Sequence, residues 1–304
     1  MQFLPSSLTN QIEPLKPLLE PVLQQTLNAM AIDHPASSAW LDAYLPLTQW
    51  ISERKKNEPY LLMINGAQGS GKTTATELLK IIFEQHYNYQ VATLSIDDFY
   101  LSRRQRQSLA DHVHPLLATR GVPGTHDIHL LASVLDDLKH RRDTVVPVFS
   151  KAEDDLLPAD QWQAITSDVD IIILEGWCVG AKSQSNIDQA CNALEANEDT
   201  DSIWRRYVNT QLQELYEPVY QLADTLVMLR APDFNCVFDW RVLQEEKLRR
   251  RYPDKGMNPE ELIRFIHHYE RLTQHMLSTM PTYADWIYYL NHQHWFDCVE
   301  LKQT

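Results

Sequence analysis

The sequence predicts an α/β fold: a mainly parallel sheet with helices on both faces, plus an N-terminal helical cap. Three observations predict it. Short continuous apolar runs recur along the 304 residues, longer amphipathic stretches separate them, and a glycine-rich turn follows the first run. A strand covered by helices on both sides is apolar at consecutive positions, so such runs mark a buried parallel sheet.

Residues 1–57 form the predicted cap, where Leu15, Leu18, Leu19 and Val22 fall at helical spacing. Prolines at positions 5, 14, 17, 21 and 35 are expected to divide it into short pieces. The charged stretch ISERKKNEP (51–59) leads into the main domain, residues 58–304. Its strand candidates are YLLMIN (60–65), VATLSI (91–96), DIIILEG (170–176), DTLVML (224–229) and DWIYYL (285–290). TVVPVF (144–149) is another. Pro147 has no amide hydrogen, which assigns that run to an edge or a small accessory sheet. The polar, acidic segment QSNIDQACNALEANEDTDS (184–202) is expected to be a surface excursion.

Composition narrows the class. A chain of this length, 44% apolar and 22% charged, buries a real core. A net charge of −14 argues against a general nucleic-acid binder, because phosphate backbones are repelled. Cys178, Cys191, Cys236 and Cys298 form no C-x-x-C pair and read as free thiols of a reducing compartment. The first twenty residues lack the apolar run of a signal peptide, and no stretch of about 18 apolar residues appears. The expectation is a cytoplasmic protein that does not span a membrane.

The glycine-rich turn, NGAQGSGKTT (65–74), matches G-x-x-x-x-G-K-S/T at Gly66, Gly71, Lys72 and Thr73. It follows a strand candidate and opens a helix whose Leu78, Leu79 and Ile82 make an apolar stripe. That order is what a phosphate-binding loop needs. The amides from Gly66 through Ala67, Gln68, Gly69, Ser70 and Gly71, with the helix start at Lys72, Thr73 and Thr74, point at a nucleoside triphosphate. Lys72 reaches the β- and γ-phosphates and the Thr73 hydroxyl ligates Mg²⁺. Glu175, at the end of DIIILEG, is the second candidate for holding the metal, directly or through water. Together these predict a P-loop NTPase fold.

The chain carries no N/T-K-x-D guanine-reading motif and no L-S-G-G-Q signature, so neither a switch nor a transporter motor is indicated. It has SIDDFYL (95–101), an acidic pair closing the second strand candidate. Ligands gather at the carboxyl ends of strands in such sheets. Asp97 is the candidate base for an acceptor hydroxyl. Asp98 is a supporting acid or a helix cap. In RGVPGTHD (120–127) a rigid turn could present Arg120 and His126 to a carboxylate; a plain turn and a buried histidine fit those residues as well. Seven of the eight glycines lie in three loops predicted to ring one cleft, and the eighth is Gly256. WRVLQEEKLRRR (240–251) is the candidate lid, within about 236–256, with Arg241 first and Arg249 second to meet the transferring phosphoryl group. A surface helix with cations in its last turn explains Arg249–Arg251 equally.

D-x-F-Y after G-x-x-x-x-G-K-T resembles the small-molecule kinases related to uridine kinase, pantothenate kinase and phosphoribulokinase. RGVPGTHD, PVFSKAEDD (147–155), EGWCVG (175–180), NALEANEDTDSIWRRYVN (192–209) and WRVLQEEKL (240–248), in this order, resemble D-glycerate 3-kinase and its ATP-binding kinase-like relatives. The resemblance spans residues 60 to about 270. It implies phosphorylation of a small hydroxy acid by ATP·Mg²⁺, D-glycerate first. Lys72 and Thr73 would hold triphosphate and metal, and Asp97 would be the base. Asp98, Tyr100, Arg120, His126, Asp127 and Lys151 would form the acceptor pocket. One departure is Ser150, where the family more often has Asp. The alternatives are a kinase for a nucleoside or pantothenate-like alcohol, and an ATP-binding regulatory protein with little turnover.

Overall fold

Tertiary burial overrides the prolines of the N-terminal region. The computed structural model describes residues 12–32, 37–251 and 256–302, without the side chains of residues 247, 248, 250 and 251. Two long helices form, α1 (Lys16–Ala29) and α2 (Ser37–Arg54). Pro14 and Pro17 sit in first turns, where a missing N–H costs nothing, but Pro21 and Pro46 lie inside helices. The expected division into short pieces does not occur there, because Leu19, Leu23 and Leu27 of α1 and Leu41, Leu45 and Leu47 of α2 are buried in the main core. Pro5 and Pro35 lie outside the described residues.

The chain then runs β1 (Tyr60–Gly66), α3 (Lys72–Tyr87), β2 (Val91–Ser95), α4 (Arg103–His112) and α5 (Ile128–Lys139). Four short strands follow: β3 (Thr144–Val146), β4 (Phe149–Ser150), β5 (Asp155–Leu156) and β6 (Gln163–Ile165). Next come β7 (Ile171–Gly176), α6 (Ala193–Glu198), α7 (Ile203–Gln211), β8 (Thr225–Arg230), α8 (Phe234–Arg251), α9 (Pro259–Thr279), β9 (Trp286–Leu290) and β10 (Phe296–Leu301). The main sheet has the order β10-β9-β8-β1-β7-β2, and only the β9–β10 pair is antiparallel. The predicted α/β class is therefore correct, with helices packed on a mostly parallel sheet. All seven residues of β1 are buried, as a central strand requires. β3 pairs with β6 outside the main sheet, the accessory place expected from Pro147.

The segment 184–202 lies mostly at the surface, as expected, but part of it is buried. It contains α6, and its Glu195 and Asp199 are 0% and 1% exposed. Arg271 reaches Glu195 at 2.6 Å and Arg205 reaches Asp199 at 2.9 Å, so the acids are buried with their cations. Among the described residues no helix is long and apolar enough to cross a membrane.

Register places the site. Ile64 of β1 and Ser95 of β2 both pair with Glu175 of β7, and Asn65 pairs with Gly176. The carboxyl ends of three adjacent strands thus carry the glycine loop, Glu175 and the Asp97–Asp98 pair. The Asn65 amide locks this edge by donating to the carbonyls of Trp177 (2.9 Å) and Val179 (2.8 Å).

Candidate active site

Gly66 to Gly71 turn from β1 into α3. Gly71 has φ 89°, a left-handed conformation that glycine adopts freely, and a side chain there would point into open space. The turn ends at the α3 N-terminus, so its amides and the helix dipole face the same way. Ser70 Oγ is buried with no hydrogen-bond partner among the described residues, and Lys72 Nζ folds back on the Ala67 carbonyl at 3.2 Å. A loop with a spare donor and an inward ammonium fits a polyphosphate. Burial pushes the Lys72 ammonium below its ordinary value, against the opposing pull of the Glu175 and Asp97 charges. Thr73 is exposed at the helix start, while Thr74 lines a cavity beside the loop.

Across from the loop, Asp97 is held on both oxygens. Tyr100 donates its hydroxyl to Oδ1 at 2.7 Å and Lys151 its ammonium to Oδ2 at 2.7 Å. Burial would raise the Asp97 carboxyl, but Lys151, then Tyr100, outweigh it and hold Asp97 below the usual carboxylate range. Asp98 is raised instead, by burial and the neighbouring Asp97 charge. It does not cap the next helix: Ser102 does, accepting from Gln105 N. Asp98 Oδ1 accepts a long 3.4 Å bond from Phe149 N.

The RGVPGTHD turn is embedded more deeply than a solvated loop. His126 is 5% exposed, stacked on Tyr100 at 4.6 Å, with Nδ1 2.8 Å from the Tyr216 hydroxyl. Burial lowers its pKa to about 4, so the ring is neutral. Arg120 pairs with Asp154 on the β4–β5 turn and lies 5.4 Å from the Phe149 ring. Asp127 caps α5, accepting from Leu130 N at 2.9 Å; its carboxylate has that structural duty whatever else it touches.

Arg241 departs from expectation. It pairs with Glu245 of its own helix at 2.8 Å and lies over Phe265 at 5.3 Å. Glu245 is 2% exposed and needs a cation, which explains the choice. Arg249 lines a separate groove between α8 and α9 with Phe238, Val242 and Leu262. Arg250 and Arg251 have side chains outside the description.

Several site residues carry no local sequence signal. Tyr269 of α9 donates to the Arg120 carbonyl at 3.0 Å, and Trp177 Nε1 donates to the Gly121 carbonyl at 2.9 Å. Arg106 is 1% exposed and binds the carbonyls of Leu101, Ala118 and Asp154. A cavity of about 350 Å³ opens beside Gly69–Gly71. Trp40 and Tyr44 of α2, Trp240 of α8, and His294 and Phe296 near β10 form its aromatic walls.

Thr73 and Glu175 offer oxygen only. Among the described residues no group of three His, Cys, Asp or Glu could cage a metal. A site of one hydroxyl and a carboxylate fits Mg²⁺, which keeps several waters and binds through one or two carboxylates plus substrate phosphates.

A phosphate loop ending the central parallel strand, with carboxylates on two neighbouring strand ends, defines a P-loop phosphotransferase. Residues 61–192 match the Phosphoribulokinase / Uridine kinase family. An uncharacterized kinase of Schizosaccharomyces pombe, mug58, is 34% identical over 228 residues, covering 71% of this chain and 80% of that protein. The chloroplastic D-glycerate 3-kinase of Arabidopsis thaliana is 26% identical over 264 residues, 80% of this chain and 56% of that protein. In solved structures, a D-glycerate 3-kinase from Cryptococcus neoformans superposes with a TM-score of 0.64 at 23% identity, covering 84% of this chain and 96% of that one. The chain belongs to the phosphoribulokinase/uridine kinase family of P-loop kinases, and it is a small-molecule kinase.

Proposed function

We propose that this kinase transfers the γ-phosphoryl group of ATP to a hydroxyl of a small hydroxy acid, D-glycerate first. The observation that carries the reading is the Asp97 carboxylate just past the end of β2, on the sheet edge where β1 and β7 also end and the phosphate loop begins. Asp97 takes the acceptor's hydroxyl proton. The freed oxygen forms a bond to the γ-phosphorus, and the bond to the β,γ-bridging oxygen breaks with its electron pair leaving on ADP. Lys72 and the loop amides orient the triphosphate. Thr73 and Glu175 are the residues that would hold Mg²⁺, which when bound offsets charge on the β- and γ-phosphates.

Arg120 favours an acid among possible acceptors, since a guanidinium already pairing with a carboxylate is shaped for another. Lys151 adds a second cation. The name of the Arabidopsis relative points to glycerate within that class. The nucleoside end of ATP is assigned to the aromatic cavity beside Gly69–Gly71, whose walls suit a flat base. An ATP-consumption screen over hydroxy acids, sugars, nucleosides and pantothenate tests the reading. Stimulation by D-glycerate supports it; stimulation by a nucleoside or pantothenate alone replaces it.

A further inference from the structure

The two partners of Asp97 differ in how firmly they are held. Tyr100 is 4% exposed, with its ring between His126 at 4.6 Å and Phe149 at 5.1 Å, so its hydroxyl cannot leave Oδ1 without repacking. Lys151 stands on the turn between β4 and β5 with its side chain 64% exposed, and Asp97 is its one ion-pair partner among the described residues. An ammonium on a long, exposed stem exchanges anions at little cost. The same turn carries Asp154, the carboxylate that Arg120 now holds. Both acceptor-side cations therefore rest on the protein's own carboxylates, at the two ends of one short turn.

We propose that Lys151 masks the base: it holds Asp97 in the free enzyme and passes to the acceptor's carboxylate when a hydroxy acid binds, leaving Oδ2 to take the hydroxyl proton. The idea rests on the hydroxy-acid reading above. An acceptor without a carboxylate offers Lys151 no new partner, so its hydroxyl meets a base still occupied. Lys151 then determines specificity through Asp97 as well as by contact. No proton or bond changes hands in the handover, which is an exchange of one ion pair for another.

The test compares wild type with Lys151→Met at saturating ATP, D-glycerate being varied across pH. With ATP saturating, the acid limb of kcat/KM for D-glycerate reports the enzyme before the acceptor binds, and that of kcat the complex holding both substrates. The other titratable groups facing Asp97 are Lys72, Asp98, Tyr100, His126, Cys178 and Tyr269, and the substitution leaves all six in place. In the variant the kcat/KM limb should move to higher pH, because Asp97 has lost its cation. The kcat limb should stay at its wild-type position, because there the lysine has already left. An unmoved kcat/KM limb means that no mask exists, and a kcat limb that moves equally means that the lysine never leaves; either overturns the proposal. The ratio of turnover on D-glycerate to that on glycerol should also fall by about tenfold or more, the scale of one charge-assisted hydrogen bond. An unchanged ratio contradicts the handover. If the wild type phosphorylates no hydroxy acid, the reading beneath falls and takes the handover with it; turnover with unmoved limbs removes the handover alone.

Discussion

The Tyr269 hydroxyl donates to the Arg120 carbonyl at 3.0 Å, and a Cβ on Gly121 would stand 2.3 Å from the Tyr269 hydroxyl oxygen. Helix α9 thus rests directly on the turn that presents Arg120 and His126, with Gly121 as the contact point. Gly121 also has φ 128°, a conformation that L residues rarely adopt. Gly121→Ala is expected to lower stability by about 1–3 kcal/mol and to raise the acceptor KM more than the ATP KM. Thermal unfolding and steady-state kinetics check this; a variant unchanged in both would separate α9 from the acceptor turn.

Lys72→Ala should weaken triphosphate binding and turnover together, since one ammonium serves both the ground state and the transferring phosphoryl group. Calorimetric titration with ATP·Mg²⁺ and kinetics on the same preparation measure the two. Normal nucleotide affinity in the variant would contradict the loop assignment.

Arg120→Ala should raise the acceptor KM by about ten- to a hundredfold with little change for ATP, the scale of a lost charge-assisted bond. Equal effects on both substrates would place the arginine outside the acceptor pocket.

Burial pushes both His126 and His268 down to about 4. Unfolded histidine titrates near ~6.5, so below that pH the unfolded chain binds more protons than the native one. The stability these rings contribute is therefore present above pH ~6.5 and lost as pH falls toward 4, by up to about 3 kcal/mol each. Urea unfolding between pH 7 and 4.5 should show the decline, and His268→Asn should flatten it. A variant with the wild-type pH slope would rule out His268 as a contributor.

The sheet was legible because a strand buried on both faces must be apolar throughout, as Ile171–Leu174 are. β10 was not. FDCVEL breaks its apolar residues with two acids and sits at the sheet edge, so no continuous run betrays it. Glu195 and Asp199 look like surface residues in sequence, because the arginines that let them be buried stand on other elements, Arg205 on α7 and Arg271, 76 positions from Glu195, on α9. The loop, Asp97 and Glu175 could be placed from strand ends alone. Tyr269 lies 149 positions from the carbonyl it binds, and only a glycine at 121 hints that something presses there. Lys151 was expected at the acceptor, and its bond to Asp97 depends on how β4 packs against the turn after β2 (Ile96–Phe99), which spacing does not encode.

Asp97→Asn tests the central claim most directly, because it keeps the shape of the side chain and removes its basicity. ATP affinity should stay near the wild-type value while kcat for the phosphorylated acceptor falls by about 10²–10⁴-fold, the range of a lost general base. A kcat within a few-fold of wild type would show that some other group takes the proton and that the carboxylate facing the phosphate loop is not the base.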